Sequence, residues 1–184
     1  MSVDLLTTLD LFAALKTALV AIPHPTLVAP AKLFEVVDYH EDKNLAEALE
    51  ELIIIKKRVC LIVLNGDRYE NDKQGRSVRS RRTTSLDIVM ADQAYTQGGQ
   101  AAAFGGPSNV GVVAMKDLVV ATLGEQPQLT NLRWCQLTPT EGAMLALAAD
   151  EQKKAPGRQA YVLNYETPSG ELILPATEPW PAQS

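Results

Sequence analysis

The sequence is poor in the residues that carry most enzyme chemistry. It contains two histidines, His24 and His40, and two cysteines, Cys60 and Cys135, among 184 residues. His24 lies between two prolines and His40 opens the charged stretch HEDKN, so neither histidine is paired with a nucleophile and an acid. Neither cysteine has the polar surroundings that lower a thiol pKa. We therefore expect no catalytic residues, and we do not expect an enzyme.

Patterns typical of metal and cofactor sites are also missing. Cys60 and Cys135 lie far apart in apolar stretches without Cys-x-x-Cys spacing, so we expect two reduced, buried thiols. The stretch HED at 40–42 offers three possible ligands, but adjacent residues point in different directions. The glycine-rich segment 95–111 lacks the lysine of a P-loop and the dinucleotide-binding pattern, and we interpret it as a mobile connector. We expect no metal and no cofactor.

Long hydrophobic runs are absent. The apolar N-terminal segment 1–22 is interrupted by Asp4, Asp10 and Lys16 and has no basic start, which argues against a signal peptide or a membrane span. Its spacing predicts an amphipathic helix, capped by Ser2 or Asp4, that ends before the prolines at 23 and 25. The apolar face of that helix would comprise Leu5, Leu9, Phe12, Leu15 and Leu19.

The chain has no excess of positive charge, with a net charge of −5. Five of its eight arginines nevertheless fall in the stretch 68–90. Their spacing scatters them over both faces of an extended strand, acidic residues lie among them, and apart from Tyr69 the stretch has no aromatic residue for base stacking. We interpret the stretch as the arm of a hairpin, and a general attraction to DNA or to an acidic protein remains open.

The hydrophobic content of 46% is sufficient for one domain with a buried core. Strand patterns cover 32–40, 58–66, 83–92 and 157–167, and the continuous apolar run at 58–66 indicates a strand buried on both faces. Helix patterns cover 44–57 and 108–124, the second capped by Ser108 or Asn109 and closed by Gly124. The segment 132–150 predicts two strands around the turn TPTEG.

These elements predict an α+β fold. A mixed, mostly antiparallel sheet would carry the N-terminal helix and two further helices on one face, and a long β-hairpin would protrude from it. Residues 1–167 would form a single domain. Residues 168–184 would form an extended, Pro-rich tail that contacts a neighbour through Leu172, Ile173 and Trp180.

Several stretches together resemble a known family. The stretches are AKLFEVVDYHED, RVCLIVLNGDRYEN, RRTTSLDIVMADQ, NVGVVAMKDLVVATLG and RQAYVLNYET. Their order, over roughly residues 4 to 167, resembles the tail-terminator proteins of tailed phages, and most closely the Gp37 family of Mu-like contractile-tailed phages. The glycine- and alanine-rich loop at 98–106 and the segment after 168 depart from that pattern.

The resemblance implies a structural protein of the virion. Tail terminators form hexameric rings that cap the tail tube, stop its polymerisation and present the surface that joins the head. The partners would be further copies of the chain, the tube protein, the sheath protein and the connector proteins of the neck, with DNA passing non-specifically through the channel and no membrane involved. The protein would be assembled in the cytoplasm of the bacterial host.

Such a protein needs interfaces rather than an active site. The interface candidates are Arg68, Asp72, Arg76, Arg79, Arg81, Arg82 and Trp180. Two other interpretations remain open: a different head–tail connector or tail-completion protein, and a nucleic-acid-binding module that uses the arginine-rich hairpin.

Overall fold

The computed structural model describes residues 2–5, 7–28, 30–40, 58–74, 77–94, 100–106, 109–125, 137–145, 149–154 and 156–175. The predicted helix over 44–57, Arg76, Cys135 and Trp180 lie outside these ranges.

The described chain contains one sheet and several helices. The strands are β1 Ser2–Leu5, β2 Val36–His40, β3 Val59–Gln74, β4 Ser77–Gln93, β5 Thr138–Leu145 and β6 Arg158–Pro175. The helices are α1 Thr8–Ala21, α2 Gln100–Phe104, α3 Val112–Glu125 and α4 Ala149–Lys154. The predicted α+β class, with a mixed and mostly antiparallel sheet, is confirmed. Among the described residues, no helix is both long and apolar enough to cross a membrane.

The sheet has the strand order β1-β6-β4-β3-β2, and β5 also pairs with β6. Only β2 and β3 are parallel; the other pairs are antiparallel. β5 pairs with residues 160–166 of β6 and β1 with residues 170–173, so these two short strands share one edge of β6. β3 and β4 form a hairpin that remains paired as far as Gln74 and Ser77, and β6 runs beside it to Pro175. The distal half of the hairpin is therefore part of a wider sheet.

The sheet is buried on both faces in its proximal half. One face packs against α1 and α3, and its buried strand residues are Val37, Cys60, Ile62, Leu86, Ile88, Met90, Leu163 and Tyr165. The opposite face forms a second apolar cluster of Val59, Leu61, Val63, Val89, Ala91 and Ala160. The alternation of residues between the two clusters confirms, for residues 59–63 of the apolar run at 58–66, the prediction of a strand buried on both faces.

Helix α1 begins later than predicted. Thr7 occupies the N-cap, and its hydroxyl oxygen accepts a hydrogen bond from the Asp10 backbone N–H at 3.1 Å. The prediction of Ser2 or Asp4 as the cap was wrong because residues 2–5 pair with the edge of β6 instead. The buried stripe also differs from the predicted apolar face, and Leu9, which was expected to belong to that face, is 73% exposed. The residues of α1 that are buried are Leu11, Leu15, Ala18 and Leu19.

The glycine-rich connector contains a helix that the sequence interpretation missed. The three alanines of α2 are buried, and the absence of larger side chains permits this close packing. Buried Asp92 then fixes the start of α3, because its Oδ2 accepts a hydrogen bond from the Gly111 N–H at 3.0 Å. Gly111 has φ +83°, and a Cβ there would lie 2.2 Å from the Gly105 nitrogen. Asn109, a predicted cap of α3, instead donates to the Gln93 carbonyl oxygen at 2.8 Å.

The C-terminal strands also differ from the prediction. The stretch TPTEG is not a turn: it lies within β5, which pairs with β6 and has a bulge between Pro139 and Glu141. The last strand does not end at 167, because β6 continues to Pro175. Residues 168–175, which the sequence assigned to the tail, therefore belong to the sheet.

Leu86 and Leu64 are direct cross-strand partners that differ in burial, at 0% and 40% exposed. We expect Leu86→Ala to lower the free energy of unfolding by about 2–5 kcal/mol, because it leaves a cavity in the core. Leu64→Ala should cost about 1 kcal/mol or less, since its side chain is partly solvated already. Urea denaturation of both variants measures the difference, and equal losses would contradict the described packing.

Tyr165 is 1% exposed, and its hydroxyl has no hydrogen-bond partner among the described residues. Desolvation raises the pKa of Tyr165 to about 12 from 10.0. The unfolded chain releases this proton at lower pH than the folded chain, so the stability contribution is complete below pH 10 and is lost as the pH rises towards 12.

We therefore expect Tyr165→Phe to retain wild-type stability at pH 7, because no hydrogen bond is removed. Between pH 10 and 12 the variant should lose less stability than the wild type. Urea denaturation as a function of pH measures both slopes, with Tyr69→Phe, at a residue that is 57% exposed, as the control. Parallel slopes for Tyr165→Phe and the wild type would refute the assignment.

Candidate functional site

The distal half of the sheet forms a structure that we call the arm. It consists of residues 66–74 of β3, 77–84 of β4, 168–175 of β6, and β1. β2 pairs only with residues 59–63, so the outer edge of β3 beyond Val63 has no neighbouring strand among the described residues. The described interface candidates all lie on this arm: Arg68, Asp72, Arg79, Arg81 and Arg82.

The strand register brings arginines and carboxylates together on one face of the arm, which we call the charged face. Arg79 lies across from Asp72, and Arg81 lies across from Glu70. Because alternate residues of a strand share a face, Arg68 joins Glu70 and Asp72 on the same side. Opposite charges at facing positions stabilise a sheet by about 0.2–1 kcal/mol per pair. The charged face thus alternates in sign from strand to strand.

Arg68 and Glu70, which lie on the charged face, remain accessible to a partner. The side chains of Arg68 and Glu70 are 62% and 66% exposed, and Arg68 Nε lies 3.6 Å from Glu70 Oε1. Arg68 Nη2 also lies 3.9 Å from Glu166 Oε2 on β6. Exposed pairs of this kind contribute little to folding, so their replacement should leave the fold intact.

Arg82 points to the opposite face, where contacts with other residues of the same chain hold its side chain. Its side chain is 12% exposed, and Nη1 lies 3.9 Å from Asp67 Oδ2. Its Nε donates to Ser169 Oγ at 2.8 Å, and Nη2 donates to the Ser169 carbonyl oxygen at 3.2 Å. Arg82 therefore has little surface left for an external partner, unlike Arg68.

Arg82 belongs to a polar cluster that we call the joint, formed by Asp67, Arg82, Thr84 and Ser169. Thr84 Oγ1 donates to Asp67 Oδ1 at 2.6 Å and lies 2.6 Å from Ser169 Oγ. Thr84 and Ser169 are 1% and 2% exposed. The joint lies between two irregularities in the ladders of β4, one beside Gly66 and one beside Thr83. Bulges bend a strand, so the joint marks the transition from the proximal sheet to the arm.

A second surface lies between α1 and β2, and we call it the groove. It has a volume of about 800 Å³ and is lined mainly by apolar side chains. Phe12 and Tyr39 stack with ring centroids 6.0 Å apart. Lys16 Nζ lies 5.3 Å from the Tyr39 centroid and 2.9 Å from Asp38 Oδ1. Sequence reasoning missed the groove because it assigned Leu9 and Phe12 to the core face of α1.

Cys60 and His24, two of the residues considered for catalysis, lie in surroundings that suit a structural role. Burial raises the pKa of the Cys60 thiol well above its usual range, which keeps it protonated and unreactive. His24 Nδ1 accepts hydrogen bonds from the backbone N–H groups of Thr26 and Leu27, at 3.3 and 3.1 Å, and so closes a turn. In the described part of the chain, no group of three or more His, Cys, Asp or Glu residues could hold a metal ion.

Comparison with known proteins finds no family model that matches the chain and no curated protein with significant similarity to it. The interpretation of the arm and the groove therefore rests on their geometry and on the resemblance described above.

Thr84 and Thr83 provide a matched test of the joint. We expect Thr84→Val to lower the free energy of unfolding by about 1–3 kcal/mol, because it leaves Asp67 and Ser169 without the shared hydroxyl. Thr83→Val makes the same chemical change outside the joint and should shift stability by less than about 0.5 kcal/mol. Urea denaturation measures both variants, and a neutral Thr84→Val would show that the joint adds no net stability.

Proposed function

We propose that this chain is a structural protein of a tailed-phage virion, a tail terminator. It closes into a homo-hexameric ring on the end of the tail tube, stops tube polymerisation and forms the surface that joins the head. The observation that best supports the proposal is the charged face of the arm, where arginines and carboxylates alternate on paired strands. Such a surface suits a contact in which register and orientation must be defined.

Two different surfaces are needed for a ring, because a head-to-tail contact closes only when one patch binds a different patch on the next copy. The arm is built from β1, β3, β4 and β6, whereas the groove is built from α1, β2 and Lys32, which lies between them in the chain. The two surfaces belong to different elements and differ in character, one charged and one apolar. This difference favours head-to-tail association over a two-fold dimer.

Other partners in the proposal are the tube protein, the sheath protein and the connector proteins of the neck, which places the ring in the tail and neck of the virion. Each copy carries a net charge of −5, so a ring of them around the channel would repel DNA and keep it mobile. No catalysis is required for this role.

A nucleic-acid-binding role is less well supported by the site. Arg82 is largely buried in the joint, and Arg79 and Arg81 each face a carboxylate across the hairpin. These acidic partners reduce the positive field that phosphate binding needs. A salt titration with short duplex DNA separates the two roles, because a phosphate-binding arm would bind at low salt and lose affinity steeply as salt is added.

We expect the double variant Arg68→Glu/Arg81→Glu to keep its fold but to assemble at least about tenfold more weakly, since like charges would then meet at the contact. Circular dichroism checks the fold. Native mass spectrometry measures ring formation, and electron microscopy counts capped ends of purified tail tubes. Arg82 is left unchanged because its replacement would disturb the joint.

Lys153→Glu is the control, because its side chain is 78% exposed on α4, away from the arm. It should assemble like the wild type. A wild-type protein that stays monomeric in the presence of tubes and leaves their ends uncapped would refute the terminator proposal. A double variant that caps tubes normally would exclude the charged face as the contact.

A further inference from the structure

The groove leaves several large apolar side chains exposed to solvent. Within it Leu9 is 73% exposed, and Val20 and Tyr39 are each 44% exposed. Stacking of Phe12 on Tyr39 supplies a preformed aromatic wall. A cleft of this volume, lined mainly by apolar and aromatic side chains with a few charged groups, is typical of a binding site. Here the rim includes Lys16 and Lys32.

We propose that the groove of one copy binds the segment around Trp180 of a second copy. The inference rests on the proposed ring, because it requires that copies of the chain associate. The segment that follows β6 reads ATEPWPAQS over residues 176–184. It contributes a single large aromatic side chain, and the groove is an apolar, aromatic-lined cleft that suits such an anchor.

The chemistry of the segment matches the groove in two further respects. Pro179 and Pro181 flank Trp180, and prolines restrict a chain in advance, so less entropy is lost on binding. Aromatic-lined grooves are a recurrent site for extended, Pro-rich segments. The segment also carries Glu178 and no Lys or Arg, which complements Lys32 on the rim, since Lys16 already pairs with Asp38.

The strand register excludes binding of a chain's own Trp180 in its groove, which leaves a second copy as the source of the segment. β2 ends level with Val63, whereas Pro175 pairs with Ser77, the partner of Gln74 at the end of the hairpin. At about 3.3 Å per residue, and with one residue allowed for the bulge, the end of β2 and Pro175 are therefore about 33 Å apart along the strands. Trp180 lies only five residues after Pro175. That segment spans about 17 Å when fully extended, so a chain's own Trp180 falls short of its groove.

The first experiment measures binding separately from ring assembly. A fluorescently labelled peptide of residues 174–184 is titrated against the full-length Trp180→Ala protein, and its anisotropy is followed. We expect saturable binding, with affinity at least about tenfold lower for the same peptide carrying Trp180→Ala. Absence of binding by the unmodified peptide would overturn the proposal.

Leu9→Glu in the receptor tests the location of the site. Leu9 is 73% exposed, so the substitution should leave the fold intact while placing a negative charge in the groove. We expect it to weaken peptide binding at least about tenfold. Phe104→Glu is the matched control, because Phe104 is 74% exposed on α2 outside the groove, and it should change affinity by less than about twofold. Equal effects of the two substitutions would exclude the groove as the receptor.

A cross-linking experiment distinguishes two copies from one. Differently tagged Leu9→Cys and Ala182→Cys proteins, the second of which keeps the Trp180 anchor, are mixed and oxidised, with the unsubstituted protein as the control for the natural cysteines. We expect disulfide-linked products that carry both tags. A cross-link that forms only within a chain bearing both substitutions would show docking within one copy and would overturn the proposal.

The outcomes also separate this inference from the proposed function. Peptide binding and two-tag cross-links in a protein that fails to cap tubes would support the groove assignment and refute the terminator role. Normal capping by Leu9→Glu and Trp180→Ala proteins, together with no peptide binding, would support the terminator role and refute the groove assignment. Loss of capping by Leu9→Glu without peptide binding would mean that the groove receives a different protein, which also overturns the proposal.

Discussion

The 18-residue strand β6 holds the sheet together. It pairs with β4 from Arg158 to Pro175, and its other edge carries first β5 and then β1. An isolated two-stranded hairpin is only marginally stable in water, so the distal halves of β3 and β4 need this third strand to form a defined arm. The continuous β4–β6 ladder thus connects the buried proximal sheet to the polar arm.

The sequence predicted the fold class well where one physical signal dominated. The apolar run at 58–66 indicated β3, and the alternation of Leu86, Ile88 and Met90 indicated β4, because burial of alternate residues is recorded directly in the pattern. The errors occurred where a tertiary contact decided the outcome. Residues 2–5 continue the apolar pattern of α1, yet they pair with β6, and local spacing contains no information about an available sheet edge.

The sequence predicted which region of the chain forms the candidate site, but it did not predict which role each arginine has in that site. The arginines are close in sequence, but the period of two assigns Arg79 and Arg81 to the charged face and Arg82 to the joint. The role of Arg82 depends on Ser169, to which it donates a hydrogen bond. Ser169 lies in the part of β6 that the sequence assigned to the C-terminal tail. The groove was missed for a related reason: apolar residues occur on more than one side of α1, and the tertiary contacts bury the side with Leu11 and Leu15 and leave Leu9 exposed.

The polar character of the joint has a consequence for the proposed ring. Apolar packing tolerates small rotations, whereas Thr84, buried at 1% exposure, keeps its hydrogen bonds in only a narrow range of arrangements. The joint therefore fixes the direction of the arm relative to the helices and the groove. In a closed ring an angular error in each copy accumulates around the circle, so closure at one subunit number needs a fixed angle between the two binding surfaces. A hydrogen-bonded joint between the arm and the domain that carries the groove supplies that constraint within a single chain.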